Sequence, residues 1–100
     1  VRSKSEAIIT NLLVDRDIPF KYEEPLYAPD GTMYLPDFTV KFRGEEYYWE
    51  HVGRTNDPKY MAHWAKKESW YNKHFPGKLL ITYEGNDLTT AAASIIAQNK

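Results

Sequence analysis

Leu35-Pro36-Asp37-Phe38-Thr39-Val40-Lys41-Phe42-Arg43-Gly44-Glu45-Glu46-Tyr47-Tyr48-Trp49-Glu50-His51-Val52 is the stretch on which the fold turns. Two runs rich in β-branched and aromatic residues, Met33 to Phe42 and Glu45 to Val52, flank the tight link Arg43-Gly44 and read as an antiparallel hairpin. A loop centred on that link pairs positions symmetrically about it, which sets Asp37 opposite Glu50. The alternation agrees, since Phe38, Val40, Tyr47 and Trp49 share one face while Asp37 and Glu50 share the other. A slip of one residue would lose the match. Directly opposed residues have Cβ atoms ~4.5–5.5 Å apart, where like charges destabilise the pair unless something cancels them. A divalent cation would cancel them, and carboxylates with backbone carbonyls and water are the ligands Mg²⁺ takes. The other reading is two acids on a solvated face of the sheet, or one of them protonated.

Working outward, Ser3 and Glu6 form an S-x-x-E capping box ahead of a helix from Ser3 to about Asp17, with Ile9, Leu12 and Leu13 facing the core. Glu6 is explained by the cap, yet it also lies within ~20° of Leu13 on the core-facing stripe, from which a carboxylate can point towards the sheet. Pro19 ends that segment, Phe20 to Glu24 alternates as a first strand, and Pro29-Asp30-Gly31 marks a turn. Beyond the hairpin, Asp57 and Pro58 are good first-turn residues for a helix reaching about Lys73. Leu79 to Tyr83 reads as a short buried strand, and Thr89 to Gln98 as a last helix carrying Leu88, Ala92, Ile95 and Ile96 towards the core. The order is helix, three strands, helix, strand, helix.

On the second helix Tyr60, His63, Trp64, Tyr71 and His74 lie within ~60° of Lys67, at ~100° per residue. Lys66 reads as a solvated lysine. An ammonium aimed along an aromatic face is either a snorkelling lysine whose stem covers Trp64 and Tyr71 or a cation set beside the two acids. His51 follows Glu50, and strand parity points its side chain to the opposite face, away from a role as general base.

The chain has 100 residues, 42% hydrophobic and 27% charged with a net charge of −1, values that describe one soluble domain with one core. It contains no cysteine, which excludes disulfides, thiol catalysis and Cys-ligated zinc and suits a reducing, cytoplasmic setting. No segment reaches the ~18 apolar residues of a membrane span, and Val1-Arg2-Ser3-Lys4 leads into no apolar signal core. A start at Val rather than Met reads as a domain excised from a longer protein or a processed terminus. Charge is unevenly placed, with nine acids against four bases from Asp15 to Glu50 and six bases against two acids from Arg54 to Lys78. That is the pattern of a metal site beside a phosphate-binding surface, or of ordinary solvated faces. Arg54 and Lys59 are the candidate phosphate contacts. Tyr60 and Trp64 suit either core packing or stacking on bases.

Taken together, Ser3 to Glu6, Leu35-Pro36-Asp37-Phe38, Tyr47-Tyr48-Trp49-Glu50-His51-Val52-Gly53, and Trp64 through Lys67 to Trp70-Tyr71 resemble the PD-(D/E)XK nuclease superfamily across the whole chain. The combination is similar to nuclease modules attached to superfamily 1 DNA helicases. The resemblance implies an α/β (α+β) restriction-endonuclease-like fold with an αβββαβα core, whose mixed four-stranded sheet is flanked by helices. It also implies that Asp37 and Glu50 bind Mg²⁺ or Mn²⁺, that the His51 backbone carbonyl adds a ligand, and that Glu6 joins through water or a second ion. The sequence departs from the simplest pattern at Val52, where that pattern has lysine. Some branches carry the lysine on the following helix, and Lys67 is the matching position.

The expectation is therefore a metal-dependent deoxyribonuclease with Asp37, Glu50, Lys67 and Glu6 as its catalytic set. DNA is its substrate, and a fused helicase, a DNA-repair assembly or a homodimer is the source of specificity that so small a domain lacks. Two rivals stand beside it: an inactive nuclease-like module that binds DNA without regard to metal, and an interaction domain for which the acid pair is incidental.

Overall fold

Arg43 and Gly44 both adopt positive φ, 52° and 80°, as the two central residues of a type I′ hairpin turn must. The turn fixes the register of β4 (Phe38–Phe42) against β5 (Glu45–Val52), with Phe38 opposite Trp49, Val40 opposite Tyr47 and Phe42 opposite Glu45. This is the register expected from the alternation, and it carries Asp37 and Glu50 to the same end of the hairpin.

The computed structural model describes residues 3–85 and 87–100; the reading of Val1 and Arg2 as a cut or processed end lies outside them. The described residues form α1 (Lys4–Asp15), β1 (Phe20–Tyr22), β2 (Leu26–Tyr27), β3 (Met33–Tyr34), β4, β5, α2 (Pro58–His74), β6 (Leu79–Tyr83) and α3 (Leu88–Asn99). The main sheet runs β1-β4-β5-β6. Its first two junctions are antiparallel and β5 pairs parallel with β6, because α2 carries the chain back to the starting end before β6 begins. The protein is thus α+β, with a mixed four-stranded sheet flanked by helices.

Each face of the sheet holds its own apolar cluster. On one, Ile9 and Leu13 of α1 and Leu88, Ala92 and Ile96 of α3 pack with Phe38, Val40, Phe42 and Trp49. On the other, Tyr48 meets Trp70 and Tyr71 of α2 and Ala28 of the β2–β3 connection. Fully burying a side chain of Leu, Ile or Phe size stabilises by roughly 1.5–3 kcal/mol, so the parity of β4 and β5 divides the stabilisation between two helical layers. Capping anchors both helices that frame the site. Ser3 and Glu6 complete the expected capping box on α1, and the Asp57 side chain accepts from the Tyr60 amide at the start of α2.

Three expectations are corrected. The strand expected from Phe20 to Glu24 stops at Tyr22, because Glu23 turns to φ 51°. The run from Met33 to Phe42 is not one strand. Pro36, which has no N–H for a ladder, is buried and separates β3 from β4, while β3 pairs instead with β2 in a second, two-stranded sheet. The Asp30-Gly31 turn closes that small hairpin, with Gly31 at φ 89° and the Ala28 amide donating to Thr32 O at 2.8 Å. Lastly, β6 is an edge strand rather than a buried one. Leu79, Leu80 and Ile81 are half-buried and Tyr83 is 50% exposed, since a strand neighbours it on one side only.

Candidate active site

The break at Pro36 lets Asp37 leave the ladder, so that its side chain reaches across to β5. There Asp37 Oδ2 accepts a hydrogen bond from the His51 backbone amide at 2.8 Å. Glu50, one residue earlier on β5, is 4% exposed and points to the α2 side of the sheet. Its Oε2 takes both the Lys67 ammonium at 2.7 Å and the Tyr71 hydroxyl at 2.6 Å. Lys67 also donates to Leu35 O at 3.2 Å and lies 5.7 Å from the Tyr34 ring centre. The small β2–β3 hairpin therefore helps to aim the lysine. It is itself held to α2 by Trp70 Nε1 donating to Thr32 Oγ1 at 2.6 Å and by Tyr34 packing edge-on against Trp70.

Burial makes this an uneasy place for two carboxylates. Desolvation pushes Glu50 up to about 7, with the Asp37 charge adding to the rise and Lys67 and Tyr71 opposing it. Desolvation also raises Asp37, against the His51 amide and the Lys67 charge. Burial, with the same acids adding to it, drives the Tyr71 phenol far above its ordinary range, so it is a fixed hydrogen-bond donor at any working pH.

Asp37, Glu50 and Lys67 line a cleft of about 760 Å³, together with Glu6, Tyr34, Arg54, His63, Trp64 and Lys66. The acids come from α1 and the hairpin, and the basic wall from α2 and the loop before it. Glu6 keeps its capping role and also lines the cleft, its Oε1 accepting from the Ser3 amide and the Tyr22 hydroxyl, both at 3.1 Å. Of the expected phosphate contacts, Arg54 lies on the wall, whereas Lys59 is exposed on α2 outside the lining. Trp64 is buried and the Tyr60 hydroxyl accepts from the Gly53 amide, which ties both into the scaffold. Sequence reasoning passed over Lys66 and His63 as part of the wall and missed the Tyr71 hydroxyl as a partner of Glu50. The signal for the last was present, since Tyr71 sits four residues after Lys67 on one helical face.

His51 and Glu84 also line the cleft, but the imidazole is engaged by neighbours. On the opposite sheet face its Nε2 meets Glu84 Oε1 at 3.0 Å and its Nδ1 meets Thr82 Oγ1 at 2.9 Å. A carboxylate only accepts, which places the proton on Nε2. Thr82 Oγ1 accepts from Trp49 Nε1 and shares a second hydrogen bond with Nδ1. Ser5 donates to Glu84 as well, and the two bonds hold the Glu84 carboxyl below its usual range.

The donor chemistry suits a divalent ion. Asp37 Oδ2 and Glu50 Oε2 are engaged by protein donors, whereas Asp37 Oδ1 and Glu50 Oε1 accept no hydrogen bond among the described residues. No buried side-chain oxygen of those residues lacks a partner, so both oxygens open to the cleft. Among the described residues no three His, Cys, Asp or Glu side chains are grouped to hold a metal ion. Two carboxylate oxygens would be completed by a backbone carbonyl and water, as Mg²⁺ sites commonly are.

Among the described residues no helix is long and apolar enough to cross a membrane. A scan against protein-family models and a search of curated proteins each give no match.

Proposed function

We propose that the protein is a metal-dependent deoxyribonuclease of the PD-(D/E)XK kind. The observation that carries this reading is the meeting of Asp37, Glu50 and Lys67 in one open cleft, with Lys67 Nζ 2.7 Å from Glu50 Oε2 although the lysine belongs to the following helix. A lysine beside the two acids, on the helix that follows them, supports the reading that Lys67 stands in for the one absent at Val52. The helix, three-strand, helix, strand, helix order of the main elements supports the same reading.

Asp37 and Glu50 would hold Mg²⁺ or Mn²⁺ through the oxygens open to the cleft, with the His51 carbonyl beside them and Glu6 reaching the site through water. When bound, the ion supplies Lewis acidity at the phosphate and a more acidic water. Lys67 has three N–H groups, of which Glu50 and Leu35 O take two. The third is left for a phosphate oxygen or the attacking water, next to the charge that develops in the transition state. Arg54, His63 and Lys66 on the basic wall meet flanking phosphates without reading sequence. The absence of cysteine suits an intracellular enzyme. A helicase or repair partner, or a second copy of the chain, would supply specificity.

The test is cleavage of labelled single-stranded, duplex and branched DNA by the purified chain in EDTA, Mg²⁺ and Mn²⁺. Cutting that requires the metal is the expected result. DNA bound but uncut in every metal would favour the inactive recognition module instead.

A further inference from the structure

We propose that Tyr71 is a positioning residue that limits Glu50 to one metal-facing oxygen, so that the site receives a small octahedral ion and discriminates against one that favours bidentate carboxylates. The inference rests on the metal-site reading above. Each acid of the pair has one oxygen engaged by the protein and one open. Tyr71 is wholly buried and its hydroxyl lies 2.6 Å from Glu50 Oε2, while the His51 amide lies 2.8 Å from Asp37 Oδ2.

The donors differ in rigidity, and that difference singles out the tyrosine. The His51 amide is part of the β5 backbone. Lys67 is a flexible stem with 20% of its side chain exposed, able to leave Oε2 for a phosphate. The Tyr71 ring is wedged between Tyr48, stacked at 6.1 Å, and Trp70, edge-on at 5.2 Å, so its hydroxyl has nowhere else to go. It holds Oε2 back whether or not Lys67 stays, and Glu50 can then offer Oε1 alone. Mg²⁺ and Mn²⁺ accept single oxygens at short distance in octahedral shells, whereas Ca²⁺ takes six to eight oxygens and readily chelates a carboxylate through both.

Calorimetric titration of the whole chain with Mn²⁺ and with Ca²⁺, without DNA, tests this on wild type, Tyr71→Phe and Tyr48→Phe, with near-ultraviolet circular dichroism recording the packing of each. The phenylalanine at position 71 keeps the ring and removes only the hydroxyl. Loss of a hydrogen bond to a ligating carboxylate typically weakens metal binding 10–100-fold. Tyr71→Phe should therefore bind Mn²⁺ at least about tenfold more weakly while Ca²⁺ binding holds or tightens, and Tyr48→Phe should leave the ratio of the two affinities at its wild-type value. Equal losses for both ions, or no change in either, would overturn the clamp while leaving the metal site standing. Wild type that binds no Mn²⁺ would overturn both.

Discussion

Replacing Glu50 with glutamine removes a charge that folding has to desolvate, and the consequence is a difference in slope against pH. The Glu50 carboxyl moves from an ordinary 4.5 to about 7 on folding. The folded chain therefore holds a proton there across that window while the unfolded chain has released it. With more protons on the folded state, stability is greatest below about 4.5 and falls as pH rises through about 7. Each pH unit that separates the folded from the unfolded value is worth about 1.4 kcal/mol, so the loss attributable to Glu50 is about 3 kcal/mol by pH 8. Glutamine keeps the shape and an acceptor for Tyr71 but cannot titrate, so Glu50→Gln lacks this slope. Loss of the Lys67 counter-charge offsets the variant's curve as a whole without restoring it. Asp37, raised by burial too, adds a slope of the same sign to both proteins. Urea unfolding followed by tryptophan fluorescence from pH 4.5 to pH 8, in EDTA, should show the wild-type minus variant stability falling by about 3 kcal/mol. Mg²⁺ at about a hundred times its dissociation constant should then return about 2.7 kcal/mol to wild type at pH 8 and nothing to the variant. Parallel pH profiles for the two proteins would refute the claim that Glu50 is ionised at a cost.

Lys67→Met should abolish metal-dependent cleavage and destabilise the fold by about 1–3 kcal/mol at pH 8, since it leaves Glu50 with Tyr71 alone; a cleavage rate within threefold of wild type would remove the lysine from the mechanism. Arg54→Ala and Lys66→Ala should each weaken DNA binding to a similar degree for unrelated sequences and lower the slope of log affinity against log salt by about one, as fluorescence anisotropy at several salt concentrations can check. Thr82→Val should cost roughly 2–4 kcal/mol, because it strips partners from both Trp49 Nε1 and His51 Nδ1 on the buried face, and urea midpoints would register it.

Where an element was specified by local chemistry, it was legible in the sequence. The hairpin register followed from a turn that only residues tolerating positive φ can make and from an apolar alternation that a one-residue slip would invert. Helix starts at Ser3 and Asp57 were written in capping residues. The β2–β3 hairpin was not legible, since strands of two residues have no period to detect; Pro36 did warn that Met33 to Phe42 was not one strand. The edge position of β6 depends on what lies beside it, and no composition of Leu79 to Tyr83 reports that. At the site, Asp37, Glu50 and Lys67 could be aligned from parity and helical spacing. The bonds that set their geometry, from Tyr71, the His51 amide and Leu35 O, come from the packing of α2 on the sheet and the bend at Pro36. Those are tertiary facts.

The most direct test of the nuclease reading pairs the wild-type chain with Glu50→Ala and Lys67→Ala in one assay of labelled DNA, with circular dichroism verifying that each is folded. Mg²⁺- or Mn²⁺-dependent cutting by wild type, and none by either folded variant, is the expected result. Cutting retained by either variant, or cutting by wild type in EDTA, would contradict it.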